Sequence, residues 1–197
     1  QSPYLVKCSL RVETENSSLQ IDPGVVVKFD RNGQLRVRGP FKVAGAAAAD
    51  VEFTSSQPSP QPGDWAGITL EAGATVEMVG ATVRYGQTAI TVQSAGAVLR
   101  NVLVEKSSRS AIYVNGADNV TLDRTVVRDN AEYGMDLADR SDAMITLTLT
   151  GNTFERNLKG AVSAEPNIQL NVSGSTASGN GLNGIVLEGG RATGPVT

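Results

Sequence analysis

Histidine is absent from this 197-residue chain. That removes the commonest general base near neutral pH and the commonest zinc ligand. A single cysteine, Cys8, allows no internal disulfide and makes no thiolate metal cluster. Aromatic residues are only 5% of the chain. No apolar run reaches the roughly 18 residues of a spanning helix, so no membrane insertion is expected. A formal charge of −3 leaves no broad basic surface of the kind nucleic acid requires. The apolar spacing of amphipathic helices, i, i+3, i+4 and i+7, is missing as well.

What is present is a repeat. Six segments superimpose: Gly67-Ile68-Thr69-Leu70, Ala89-Ile90-Thr91-Val92, Ala111-Ile112-Tyr113-Val114, Gly134-Met135-Asp136-Leu137, Ala161-Val162-Ser163-Ala164 and Gly184-Ile185-Val186-Leu187. Their first apolar residues are separated by steps of 22, 22, 23, 27 and 23. Within each, apolar residues alternate with variable ones, the period of a strand with one buried face. A second set of apolar pairs follows (Val76/Met78, Ala97/Leu99, Val120/Leu122, Leu147/Leu149, Leu170/Val172), then a third column, Val83, Val104, Val127, Phe154 and Ala177. Three strands per unit of about 22 residues predict an all-β, parallel β-helix solenoid of roughly eight turns. At the usual inter-strand spacing the rod is about 35–40 Å long.

The N-terminal part fits two further turns, Leu10/Val12, Leu19/Ile21, Val27/Phe29 and then Leu35/Val37, Phe41/Val43, Val51/Phe53. We expect one β-helix domain over residues 1–197, set within a longer protein. A Pro-, Ser- and Gln-rich stretch predicts a loop excursion at 54–64. Residues 46–49 read as a turn or one helical turn, and the lengthened 27-residue unit places an insertion at 138–143. Pro3 to Val6 are expected to cap the first turn. The tail after Leu187 has no amphipathic helix to cover the last turn, so further protein or a partner is expected there.

Two polar patterns share the register. Gly86, Ser107, Asn130, Asn157 and Asn180 occupy one turn position, where stacked asparagines hydrogen-bond one another. Arg84, Glu105, Arg128 and Glu155 alternate in sign beside them, as do Lys106, Asp129 and Arg156. Opposite charges on adjacent strands make a structural ladder.

With those residues in place, the chain resembles the right-handed parallel β-helix proteins of the pectin-lyase-like group. The resemblance rests on Ser2 to Val6, on Leu19-Gln20-Ile21-Asp22-Pro23-Gly24-Val25-Val26-Val27-Lys28-Phe29, on Phe53-Thr54-Ser55, and on Gly63-Asp64-Trp65-Ala66-Gly67-Ile68. Such segments look like those of domains in large bacterial secreted and cell-surface proteins. The resemblance implies a secreted or cell-surface location. It implies little about activity, because the group spans lyases, hydrolases, epimerases and non-catalytic adhesive modules.

Polygalacturonase-like members carry paired aspartates and a Gly-His-Gly element, and both are missing here. Tyr133-Gly134-Met135-Asp136-Leu137-Ala138-Asp139 is similar to the Tyr-Gly-x-Asp-Pro-His-Asp element of alginate C5-epimerases. Tyr133, Asp136 and Asp139 match it, but Leu137 and Ala138 stand where the proline and the proton-transferring histidine belong. No metal site is assigned and no cofactor is expected. Calcium is the alternative, with Asp123, Asp136, Asp139 and Asp142 as available acids, although Asp123 lies on a different strand set.

The outward column Thr69, Thr91, Tyr113, Asp136, Ser163 and Val186, flanked by Asn115 and Glu165 among others, gives the candidate ligand-binding residues: Tyr113, Asn115, Asp136 and Glu165. A tyrosine beside amide and carboxylate groups holds a sugar by stacking and hydrogen bonding. The expected function is a non-catalytic scaffold or adhesive module, its partner a polysaccharide or cell-surface glycan. The alternative is a lyase or C5-epimerase on uronic-acid polymers, with Tyr133, Asp136, Asp139 and Arg140 as its catalytic set.

Overall fold

The computed structural model describes residues 2–93, 96–138 and 145–189. Among these residues there is no helix. β1 (Tyr4–Val6) leads into a first turn of β2 (Ser9–Val12), β3 (Leu19–Ile21) and β4 (Val26–Phe29). The second holds β5 (Gln34–Val37), β6 (Phe41–Ala44) and β7 (Val51–Ser55). The third and fourth are β8 (Gly67–Leu70), β9 (Thr75–Val79), β10 (Ala81–Arg84) and β11 (Ile90–Val92), β12 (Gly96–Arg100), β13 (Leu103–Glu105). The fifth and sixth are β14 (Ile112–Val114), β15 (Asn119–Asp123), β16 (Val126–Arg128) and β17 (Tyr133–Leu137), β18 (Ile145–Thr150), β19 (Thr153–Glu155). β20 (Gly160–Ala164), β21 (Ile168–Ser173) and β22 (Thr176–Ser178) form the seventh, and β23 (Ile185–Leu187) opens an eighth.

Every strand pairs in parallel with its equivalent one turn away, which gives three sheets. Sheet 1 runs β1-β4-β7-β10-β13-β16-β19-β22 and sheet 2 runs β2-β5-β8-β11-β14-β17-β20-β23. Sheet 3 holds the seven strands from β3 to β21. The fold is the predicted parallel β-helix of about eight turns, and the 22-to-27-residue steps are the sheet-2 register itself.

Inside the rod the aromatics gather at the N-terminal end. Phe29 stacks on Trp65 with ring centroids 4.2 Å apart, and Phe41 meets Phe53 edge-on at 6.4 Å. Aliphatic rungs follow, such as Ile68, Ile90, Ile112, Met135 and Val162. Trp65 follows the long loop and packs into this aromatic end of the rod. Its ring lies wholly inside the core, and its Nε1 donates to the Arg84 carbonyl at 2.8 Å.

Two boundaries shift. Thr54 and Ser55 are buried in β7, paired with Lys28 and Phe29, so the excursion expected over 54–64 begins at residue 56. Asp64 closes it by accepting from Ser55 Oγ at 2.7 Å and from the Gln61 amide at 3.0 Å. Residues 46–50 form a turn, pinned by Asp50 Oδ2, which accepts from the Ala46 and Ala47 amides. Tyr4–Val6 adds a rung to sheet 1 beside Val27–Phe29 rather than folding over the core as a cap. At the other end Leu149, Phe154, Val162 and Ile185 line an apolar depression of about 280 Å³. Of the tail expected to leave that end open, residues 190–197 lie outside the described residues, as does 139–144, most of the expected insertion.

The asparagine column forms as expected. Asn130 Nδ2 donates to Asn157 Oδ1 at 2.8 Å, and Asn157 Nδ2 donates to Asn180 Oδ1 at 2.9 Å. A second ladder, unpredicted, sits at the opposite corner of sheet 1. There Asn152 Oδ1 accepts from the Thr125 amide at 2.8 Å, and Asn152 Nδ2 donates to the Leu122 carbonyl at 2.9 Å. Both corners need left-handed backbone: Lys106, Asp129 and Arg156 have φ of 57°, 56° and 51°, and Asn101 and Arg124 of 51° and 49°. Non-glycine residues adopt that conformation at a cost of about 1–2 kcal/mol each.

The charged columns are a ladder in fact. Glu105 is buried between Arg84 at 3.9 Å and Arg128 at 2.9 Å, and Arg84 extends the run to Glu52. Arg156 joins Asp129 at 2.7 Å and Glu155 at 2.8 Å. The hydrogen bond from Arg156 holds the Asp129 carboxyl below its ordinary value.

Candidate functional site

Period-2 alternation on sheet 2 turns one residue of each strand outward. Register pairs these as Arg11, Arg36, Thr69, Thr91, Tyr113, Asp136, Ser163 and Val186. Tyr113 and Asp136, both predicted site residues, are therefore direct neighbours. They line a surface cleft of about 350 Å³ together with Thr88, Arg109, Ser110 and Glu132.

Around Asp136 the polar groups converge. Ser110 Oγ lies 3.4 Å from both Asp136 Oδ2 and Glu132 Oε2. Ser163, one rung on, also hydrogen-bonds Asp136, and its Oγ is 3.3 Å from Glu188 Oε1. The same Glu188 oxygen accepts from the Tyr133 hydroxyl at 3.2 Å. Lys159 Nζ stands 3.2 Å from Glu132 and 5.8 Å from the centre of the Tyr133 ring. Tyr133, Glu188, Ser163, Asp136, Ser110, Glu132 and Lys159 thus form a closed ring of contacts. Gly160 leaves room for it: a Cβ there would lie 3.0 Å from Tyr133 Cε1 and press on the ring where it crosses that rung.

Burial pushes the Asp136 carboxyl up, against the hydrogen bonds from Ser163 and Ser110, and the charges of Glu132 and Glu188 add to the rise. The two serines tie Asp136 to Glu132 on one side and to Glu188 on the other. Burial and the bond to Glu188 raise Tyr133 as well, holding it as a phenol.

A raised carboxyl stabilises the fold fully below its ordinary value of 3.8, and that contribution is lost as pH rises through the folded value. Asp136→Asn is therefore expected to melt above the parent near neutral pH and together with it near about pH 3. Calorimetry across that range checks this; equal melting at neutral pH would show that burial of the charge costs nothing.

The other predicted residues fall elsewhere. Asn115 and Glu165 follow the ends of β14 and β20, outside the cleft lining. Asp139 and Arg140 lie outside the described residues, as does Asp142. Asp123, the remaining acid weighed for calcium, is on sheet 3, paired with Arg124 at 2.8 Å. Among the described residues no three acids converge closely enough to hold a metal ion. Trp65, buried in the core, offers no face to a sugar.

A family model described as right handed beta helix region matches residues 45–194. The chain belongs to that family. No curated protein and no solved structure matches it. Membership of the right-handed beta helix family agrees with the stacked sheets, and it assigns no chemistry to the cleft.

Five members of the ring escaped the sequence reading: Ser110, Glu132, Lys159 and, as site residues, Ser163 and Glu188. A signal existed. Arg109, Glu132 and Lys159 stand at one corner position in the same register, shown by the Lys159 amide donating to the Glu132 carbonyl at 3.1 Å. Their signs alternate like those of the ladder.

Proposed function

We propose that this right-handed beta helix is a rigid, non-catalytic module that binds a neutral glycan in the Tyr113/Asp136 cleft. The observation that carries it is the convergence of an outward tyrosine with hydroxyl and carboxyl groups on one face of a stiff rod. Carboxyl oxygens and the Thr88 hydroxyl pair with sugar hydroxyls, the buried Ser110 and Ser163 hold the carboxyl groups in place, and an aromatic face stacks on a pyranose ring. Glu132, Asp136 and Glu188 outnumber the nearby cations, which favours an uncharged sugar over a uronate at this position. The resemblance to domains of bacterial secreted and cell-surface proteins supports a place outside the cell, where such a module would act as spacer or adhesive.

The test is titration with neutral hexose and pentose oligosaccharides. Tyr113→Ala and Asp136→Ala are each expected to weaken binding about tenfold or more, as for a central contact, with an unchanged circular dichroism spectrum. Parent-like binding by both variants would remove the cleft from the account.

One observation favours a second reading, a lyase or C5-epimerase on uronic-acid polymers: a raised carboxyl beside a tyrosine in a cleft. Such chemistry needs a base to take the C5 proton. Burial and Glu188 hold Tyr133 in its protonated form, which disfavours it in that role. Unsaturated products, or changed epimer ratios, lost in Asp136→Ala would replace the binding reading.

A further inference from the structure

The outward column of sheet 2 changes character toward its N-terminal end. Arg11 and Arg36 sit directly opposite each other on β2 and β5. Like charges on adjacent strands repel, and the ladders elsewhere in this protein avoid that pairing. Arg38 stands two residues beyond Arg36 on the same face. The three line a polar cleft of about 340 Å³ with Val12, Glu13 and Glu71.

Only Arg36 is neutralised: its Nε donates to Glu71 at 2.6 Å. Among the described residues Arg11 and Arg38 are exposed and make no ion pair. The surrounding sequence reinforces the field. Residues 1–44 hold seven Lys and Arg against four Asp and Glu, whereas the rest of the chain holds ten against 16. The acidic chain therefore carries a cationic end.

We propose that Arg11, Arg36 and Arg38 form an anion-binding site for the sulfate or carboxylate groups of an acidic polysaccharide. The guanidinium fork matches such oxyanions in bidentate geometry. Arginines one rung and one two-residue step apart present those forks about 5–7 Å from each other. The next rungs carry Thr69 and Thr91, hydroxyl donors and acceptors suited to sugar hydroxyls. They also set the polymer class. A nucleic acid needs cations to continue along its phosphates, and here the charge stops after two rungs. Arg36 lies four rungs from Asp136, about 19 Å, so the site is separate from the neutral-glycan cleft and does not rest on it.

Isothermal titration with a sulfated hexasaccharide, a uronate hexasaccharide, a neutral hexasaccharide and inorganic sulfate tests the proposal. Parent protein is expected to bind at least one acidic hexasaccharide more tightly than inorganic sulfate, and the preferred one names the anion. The Arg11→Gln/Arg38→Gln double variant, which removes two exposed and unpaired charges, is expected to lose about tenfold or more in that affinity. Arg11→Lys/Arg38→Lys should recover only part, because an ammonium lacks the fork. Absence of acidic-sugar binding by the parent, or equal binding by the Gln double variant, would overturn the site. Binding of the neutral hexasaccharide, unchanged in the Gln variant and lost in Tyr113→Ala, reports on the cleft alone, so the two readings fail separately.

Discussion

Trp65→Ala is expected to lower the unfolding free energy by about 3–5 kcal/mol, the range for removing a large buried aromatic. The ring has no exposed surface, stacks on Phe29 at 4.2 Å with a 6° interplanar angle, and donates a buried hydrogen bond to the Arg84 carbonyl. Its loss opens a cavity where the aromatic N-terminal rungs meet the aliphatic ones and strands a buried acceptor. Trp65 also makes the bridge to Gly86 that returns the chain from the long excursion to the rod. Trp65→Phe keeps most of the volume and loses only the donor, so its cost is expected near 1–3 kcal/mol. Urea unfolding of the three proteins measures both. A loss below about 1 kcal/mol for the alanine variant would mean that the stack collapses without penalty.

Asn157→Ala is expected to destabilise by about 2–4 kcal/mol, a value summed from the buried hydrogen bonds its side chain makes. Asn157 is fully buried. Its Nδ2 donates to the Val127 carbonyl at 3.1 Å and to Asn180 Oδ1 at 2.9 Å, while its Oδ1 accepts from Asn130 Nδ2 at 2.8 Å. Alanine takes a partner from the Asn130 amide and the Val127 carbonyl on one side and removes the side-chain bond to Asn180 on the other. In a solenoid each turn is held chiefly by the turns beside it, so the damage should centre on the β16, β19 and β22 rungs. Hydrogen exchange at their amides should accelerate first. Uniform protection with an unchanged midpoint would show that the ladder contributes nothing.

Much of this architecture was legible because a parallel β-helix writes its contacts into a period. Ile68, Ile90 and Ile112 stack at intervals that can be counted, and Asn130, Asn157 and Asn180 follow the same count. The second ladder was just as countable through Thr125, Asn152 and Ser175, whose Oγ accepts from the Asn152 amide at 3.1 Å. It passed unseen because only Asn152 announces a buried amide, while its partners are small hydroxyl residues common in any turn. The boundary at Thr54 misled for a related reason. A Thr-Ser-Ser run reads as loop chemistry, yet pairing with Lys28 and Phe29 buries its first two residues in a strand.

The cleft was half legible. Column counting places Tyr113 beside Asp136, since adjacent rungs must put equivalent residues side by side. It does not say how far a long side chain travels. Tyr133 reaches Glu188, 55 residues on, because Gly160 leaves room for its ring to lie across the intervening rung. Asn115 and Glu165 share a flank of the same column yet fall outside the cleft, since they begin the turns beyond their strands.

The sequence by itself determined the solenoid, its register and the alternation of core and surface, because strand period and repeat length leave one way to stack. Tertiary structure alone decided which surface groups meet and which stand free. Glu52 was drawn into the ladder, Tyr133 turned toward Glu188, and Arg36 paired with Glu71 while Arg11 stayed without an acid among the described residues. Those outcomes depend on side-chain reach, corner conformation and the space each neighbour leaves, which no period specifies.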